Sequence, residues 1–239
     1  MDEAQVLRIK ENIEKVSARI HQAAARAGRD DSKIELVAVT KEKSAAVVKI
    51  LAERGIRKIG ESYLQEAEFK IDLLKDLGIE WHMIGNIQRG KEKQIPYRFQ
   101  VVHSVGSKRT AQELDKFSED LGTRLPVYLE LNVSGESTKH GWSAKEDDEL
   151  EQLIPIFKEI LDYPALNVVG LMTMAPYSDN PEDARPYFQR MRNIRDFLQA
   201  RIPDSSISEL SMGMSGDFEV AIEEGATILR IGSALVGPR

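Results

Sequence analysis

No cysteine occurs among the 239 residues, which excludes a disulfide framework, thiolate metal sites and a thiol nucleophile. No run approaches the roughly 20 apolar residues that a membrane-spanning helix needs. Basic blocks are missing too. With 33 Lys and Arg against 39 Asp and Glu, the net charge is −6, which argues against nucleic acid or an anionic membrane as a partner. The first residues, Met1-Asp-Glu-Ala-Gln5, have neither the basic start nor the apolar core of a signal peptide, so a soluble, cytoplasmic protein is expected. There is no Walker loop and no nucleophile elbow. The four histidines, His21, His82, His103 and His140, lack metal-ligand spacing, and no metal site is expected. No low-complexity linker divides the chain, which favours one domain over residues 1–239.

What is there is a regular alternation. Apolar, strand-like runs lie at 34–40, 58–61, 80–85, 101–105, 126–133, 168–173, 207–212 and 227–232. Several are nearly continuous hydrophobes, as parallel strands covered on both faces require. Between them run helical stripes: Leu64, Ala67, Ile71, Leu74 and Leu77 before Gly78; Ala111, Leu114, Phe117 and Leu121 before Gly122. Leu150, Leu153, Ile154, Phe157 and Leu161 form another, and Tyr187, Met191, Ile194 and Leu198 a fourth. The acidic run Glu146–Glu149 suits the first turn of a solvated helix. Residues 4–27 give an additional helix ahead of the first strand. Eight strand–helix units in this length predict an α/β fold, a closed (β/α)8 TIM barrel with an extra N-terminal helix, with an open doubly wound sheet as the alternative.

In such a barrel the C-terminal ends of the strands form the active mouth, and phosphate often binds after the last two strands. Here the last two strands lead into Ser215-Gly216 and Gly232-Ser233. Ser215 reads as a helix start, where free amides and the helix dipole favour an anion. Lys41 ends the first strand, which neighbours the last in a closed barrel. A phosphate cup beside one lysine predicts a phosphorylated carbonyl compound held as a Schiff base, with pyridoxal phosphate as the leading candidate. Arg230 lies inside the apolar run Thr227-Ile-Leu-Arg-Ile-Gly232, an expensive place for a guanidinium without a partner. Either a salt bridge to Glu130 or a contact to the cofactor's pyridine nitrogen accounts for it. His82, in the third strand, reads as a satisfied core histidine or a cofactor contact.

The motifs as a set resemble the pyridoxal phosphate homeostasis proteins, which are similar in fold to the amino-terminal barrel of alanine racemase. The resemblance rests on Val37-Ala-Val-Thr-Lys41, Gly60-Glu-Ser-Tyr-Leu-Gln-Glu66, Trp81-His-Met-Ile-Gly85, Lys139-His-Gly141, Gly170-Leu-Met172, Ser211-Met-Gly-Met-Ser-Gly-Asp217 and Arg230-Ile-Gly-Ser233. It implies that Lys41 forms the Schiff base, that Ser215, Gly232 and Ser233 hold the phosphate, and that Arg230 faces the pyridine nitrogen. Two positions depart from the family pattern: Ser62 stands where asparagine is usual, and Asn86 where proline is usual. Ser62 can still hydrogen-bond near the cofactor, with a shorter reach.

Alanine racemase takes a second base from a separate carboxyl-terminal domain. The sequence runs only seven residues past Gly232, to Arg239, so no such domain is expected. The expectation is therefore a monomeric carrier of pyridoxal 5'-phosphate, without established catalysis, that hands the cofactor to PLP-requiring apoenzymes. A weak racemase or transaminase is the first alternative, and a colourless sugar-phosphate aldolase using the same lysine is the second.

Overall fold

The protein is described as a computed structural model over residues 3–238. Its strands are β1 (Glu35–Val39), β2 (Lys58–Glu61), β3 (Glu80–Met83), β4 (Val101–Val105), β5 (Leu125–Asn132), β6 (Trp142–Ser143), β7 (Leu166–Met172), β8 (Glu209–Ser211) and β9 (Ile228–Ile231). The sheet order is β4-β3-β2-β1-β9-β8-β7-β5, and a β4–β5 pairing closes it. All pairings are parallel. The result is a closed eight-stranded parallel barrel, the (β/α)8 arrangement expected from the alternation. The two-residue β6 branches from the end of β5 and was not anticipated.

The helices are α1 (Glu3–Arg26), α2 (Ala45–Glu53), α3 (Leu64–Leu73), α4 (Ile95–Arg98), α5 (Lys108–Asp120), α6 (Asp147–Leu161), α7 (Arg185–Arg201), α8 (Phe218–Glu223) and α9 (Ser233–Val236). Each long helix buries one stripe. In α6 the stripe is Leu150, Leu153, Phe157 and Ile160, and the acidic run closes a capping box between Glu146 and Glu149. Helix α2 escaped the sequence reading because its exposed face is only Ala46, Lys49 and Glu53, just two of them polar, which leaves a faint period in a nine-residue apolar stretch. The helices α4, α8 and α9 are too short to show one.

The additional helix α1 buries Ile9, Val16, Ile20, Ala23 and Ala24. It reaches the two short helices after the last strands. Arg19 holds Glu219 in a two-pronged pair, with Nε at 3.0 Å from Oε1 and Nη2 at 2.7 Å from Oε2. Arg29 donates to the Ile222 carbonyl and Asn12 to the Leu235 carbonyl. The helix therefore braces the corners that carry the expected phosphate cup.

Candidate functional site

Strand β1 ends at Val39 and delivers Thr40 and Lys41 to the C-terminal mouth of the barrel. A buried polar cluster holds this turn. Thr40 Oγ1 donates to Glu61 Oε1 at 2.5 Å, and Lys70 Nζ donates to the Thr40 carbonyl at 2.7 Å. The same ammonium pairs with Glu61 at 2.7 Å and Glu66 at 2.6 Å, its side chain being 3% exposed. Glu66 also accepts the N–H of Glu42, the one non-glycine described residue with left-handed backbone, at φ 64°. Burial pushes the Glu61 carboxyl upward, against the pull of Lys70 and Thr40. The sequence reading singled out the segment 60–66 but not this use of Glu61, Glu66 and Lys70.

Beside the end of β1, and sharing a cavity with Lys41, the corners after β8 and β9 meet through one hydroxyl. Ser215 Oγ accepts the N–H groups of Gly232 and Ala234, each at 3.2 Å. Ser215 does not start a helix, contrary to the sequence expectation. It sits in a turn, and Asp217 takes the cap position of α8, its Oδ1 accepting the Met214 N–H at 2.6 Å. The carboxylate closes that turn over three residues, which delays the helix to Phe218. Ser233 opens α9 directly after Gly232. A Cβ added at Gly232 would meet Val39 only at 3.4 Å, an ordinary contact. Protein packing thus leaves room for a methyl there, and glycine keeps that stretch of the cavity wall open.

A cavity of about 410 Å³ lies between these parts, within the usual range for small-molecule sites. Lys41, Ser62, Ser215, Gly232, Ser233 and Arg230 all line it. An adjoining cavity shares Lys41 and Ser62 and adds Glu130 and His140. Six of the seven expected site residues are therefore brought to one mouth.

Arg230 is 4% exposed. Its Nη1 donates to Ser211 Oγ at 2.6 Å and its Nη2 to the Thr173 carbonyl at 2.8 Å. No salt bridge to Glu130 forms among the described residues; the carboxyl acts on Arg230 only through its field. Burial pulls the guanidinium down to about 10, opposed by Glu130 and Asp217. Burial likewise pushes the Glu130 carboxyl up to about 7.

His82 is the exception. It is 1% exposed and lines neither cavity. Both ring nitrogens are engaged inside the barrel: Nδ1 lies 2.8 Å from His103 Nε2, and Nε2 lies 2.8 Å from Glu80 Oε1. Its place in β3, one residue before Met83, turns it inward toward the floor rather than the mouth. The core reading of this histidine is the one the geometry matches. Sequence spacing had not linked His82 to His103, because register between separate strands decides that contact. Among the described residues no group of three or more His, Cys, Asp or Glu is placed to hold a metal ion.

An amine just past the first barrel strand, sharing a cavity with the corners after the last two, defines the class: a (β/α)8 barrel with its candidate site at the C-terminal mouth. The sequence matches the family "Alanine racemase, N-terminal domain" over residues 8–239. It is 42% identical over 229 residues to a pyridoxal phosphate homeostasis protein of Aquifex aeolicus, covering 96% of this chain and 97% of that protein. A protein of the same name from Pseudomonas aeruginosa is 42% identical over 234 residues, with 97% and 96% covered. The structure of PipY from Synechococcus elongatus with PLP bound superposes with a TM-score of 0.79 at 29% identity, over 92% of this chain and all of that one. Alanine racemase of Clostridium difficile, at 15% identity and a TM-score of 0.71, covers 97% of this chain and 57% of its own, and shares the fold. The chain belongs to the pyridoxal phosphate homeostasis protein family.

Proposed function

We propose that this protein binds pyridoxal 5'-phosphate at the barrel mouth, holds it reversibly as a Schiff base on Lys41, and serves its storage and delivery inside the cell. The observation that carries this reading is the convergence of Lys41, Ser215, Gly232, Ser233 and Arg230 on one cavity. The donor set fits the group part by part. An amine suits the aldehyde, the backbone amides and hydroxyls of two corners suit a phosphate, and a guanidinium suits a ring-nitrogen acceptor. When bound, the cofactor supplies a reactive aldehyde and an electron-withdrawing ring. The protein's part is to grip the anionic tail, orient the ring and hold the amine near it. Ser62, on the mouth wall, adds a short hydroxyl contact.

Arg230 has only donors to offer, so a ring nitrogen facing it stays an unprotonated acceptor. That restrains carbanion chemistry and favours a carrier over a catalyst. The relatives' name points the same way, and PLP-requiring apoenzymes are the recipients this role calls for. The protein works as a monomer, one barrel over 1–239, in the cytoplasm. Among the described residues no helix is long and apolar enough to cross a membrane.

The test is the absorption spectrum of the purified protein before and after borohydride. Bound cofactor gives a visible band that borohydride bleaches as its hydride reduces the imine and fixes the cofactor to Lys41, and Lys41→Ala abolishes the fixation. A colourless protein that takes up no added cofactor overturns the reading and favours a sugar-phosphate aldolase.

A second reading, a weak racemase or transaminase, draws on Glu130, a mouth carboxyl that titrates near neutrality and could move a proton. Deuterium exchange at the α-carbon across a panel of amino acids decides it. Exchange no faster than with cofactor alone removes the reading.

A further inference from the structure

Beneath Arg230 a line of polar side chains runs through the barrel interior, which otherwise holds Val37, Tyr128, Met172 and Ile228. Ser211 Oγ lies 2.8 Å from His103 Nδ1, His103 Nε2 lies 2.8 Å from His82 Nδ1, and His82 Nε2 lies 2.8 Å from Glu80. Four barrel strands, β9, β8, β4 and β3, contribute one or two members each. Ser211 and His103 are fully buried, whereas the Glu80 side chain at the floor is 42% exposed.

Elementary donor counting fixes the direction of this line. Arginine only donates, so Ser211 Oγ accepts from Arg230 and its single hydrogen is left for His103 Nδ1. A neutral imidazole that accepts at Nδ1 donates at Nε2, here to His82 Nδ1. His82 then donates from its own Nε2 to the Glu80 carboxylate. Two neutral histidines of the same tautomer satisfy every link. Reversing the direction makes Ser211 accept twice and requires a second proton on His82 to meet the carboxylate. That would place an imidazolium in the barrel core in line with Arg230. What opposes it is that the His82 ring is itself only 1% exposed; burial and the fields of His82, Arg230 and Lys58 also hold the His103 imidazole well below its usual value, so the middle link is a neutral ring in either direction. Around the floor, Lys58 bridges Glu35 at 2.5 Å and lies 3.8 Å from Glu80. Tyr128 stacks on His103 at 4.5 Å and gives its hydroxyl proton to Glu209 at 2.5 Å. The other charged groups within the field of Arg230 are Glu130 and Asp217, both lining the mouth.

We propose that Ser211, His103 and His82 are positioning residues for Arg230, forming a one-way donor chain to Glu80 that locks the guanidinium with its remaining N–H groups toward the cofactor's ring nitrogen. The chain couples the mouth to the far end of the barrel, so occupancy above registers at a histidine that touches no ligand. The last step rests on the binding reading above, while the direction of the chain does not.

The experiment uses ¹⁵N-histidine NMR on the full chain, first without cofactor. Both His82 and His103 are expected as neutral Nε2–H tautomers. An Nδ1–H tautomer or an imidazolium at His103 overturns the proposal, whether or not the protein binds pyridoxal phosphate. Adding the cofactor should then shift the side-chain signals of both histidines, though neither lines the cavity. Ser211→Ala should scramble the His103 tautomer and weaken cofactor retention about tenfold, the worth of one charge-assisted hydrogen bond. Ser211→Thr, which keeps the hydroxyl, should restore both. If the visible band forms normally but the histidine signals stay fixed, the coupling is absent and the inference falls while the binding reading stands. If no band forms in the parent protein, the binding reading fails and the tautomer result still judges the chain.

Discussion

At the scale of single residues, the site depends on buried charges that are paired with care. Lys70 holds Glu61 and Glu66 and the carbonyl of Thr40, with almost no solvent contact. Replacing it by methionine leaves the Glu61 carboxylate, which is fully buried, without its cation. Lys70→Met should therefore lower unfolding stability by roughly 3–5 kcal/mol in urea titrations, as for other broken buried pairs. It should also loosen the turn before Lys41, slowing borohydride-trappable uptake of the cofactor. Gly232→Ala is a contrasting case. The added methyl finds only ordinary contact with Val39, so stability should change little while cofactor retention drops at least tenfold, read by dialysis and absorbance. Equal losses of both would show that the position is structural.

The Glu130 carboxyl gives a pH signature. Its folded value, raised to about 7 by burial, exceeds the unfolded value of 4.5, so the native state binds the proton more tightly. The resulting stabilisation is complete below about pH 4.5 and is lost as the pH rises through about 7, a total on the order of 3 kcal/mol. Glu130→Gln should flatten that fall in a series of urea melts between pH 4.5 and 8. A variant curve parallel to the parent's would remove Glu130 as the cause.

Among the secondary-structure elements, α1 is the one whose role extends furthest from its position in the sequence. Its buried face and its pairs to Glu219 and Glu223 support the short helices α8 and α9, which have few residues of their own to anchor them. Ile9 is 2% exposed, and Ile9→Ala should cost about 2–5 kcal/mol by the cavity it leaves. Because the same helix steadies the cup, cofactor retention should fall alongside stability in that variant, and Arg19→Ala should change stability by less than about 1 kcal/mol since the pair is half exposed. How far these elements could be read in advance follows from their periodicity. The barrel strands and the helices α1, α3, α5, α6 and α7 announce themselves by apolar runs or stripes. Helix α2 does not, having only two polar residues, Lys49 and Glu53, on its exposed face, and the delayed start of α8 follows from the reach of the Asp217 side chain, which no periodicity records. Lys41, Ser215, Gly232 and Ser233 were legible because strand order alone places them together. The union of His82 with His103, and the propping of Lys41 by Lys70, depend on cross-strand register and on rotamers, which the sequence does not display.

For the whole molecule, the two ends of the barrel divide the work. The mouth gathers Lys41, Ser215, Gly232, Ser233 and Arg230 around one cavity, while at the floor Lys58 ties β1, β2 and β3 through Glu35 and Glu80, and Glu209 of β8 accepts from Tyr128 of β5 across the interior. Between them the interior is filled rather than hollow, so a ligand's effect on the floor must pass through fixed side chains and not through a channel. The β4–β5 pairing that completes the ring, with its register slip between Val102 and Val105, has one more effect. Every barrel strand has a neighbour on both sides, which leaves no long unsatisfied rim of amides and carbonyls to template another polypeptide. Another protein docking on the barrel therefore meets side chains and loops rather than a barrel-strand edge, and can leave without breaking a shared sheet.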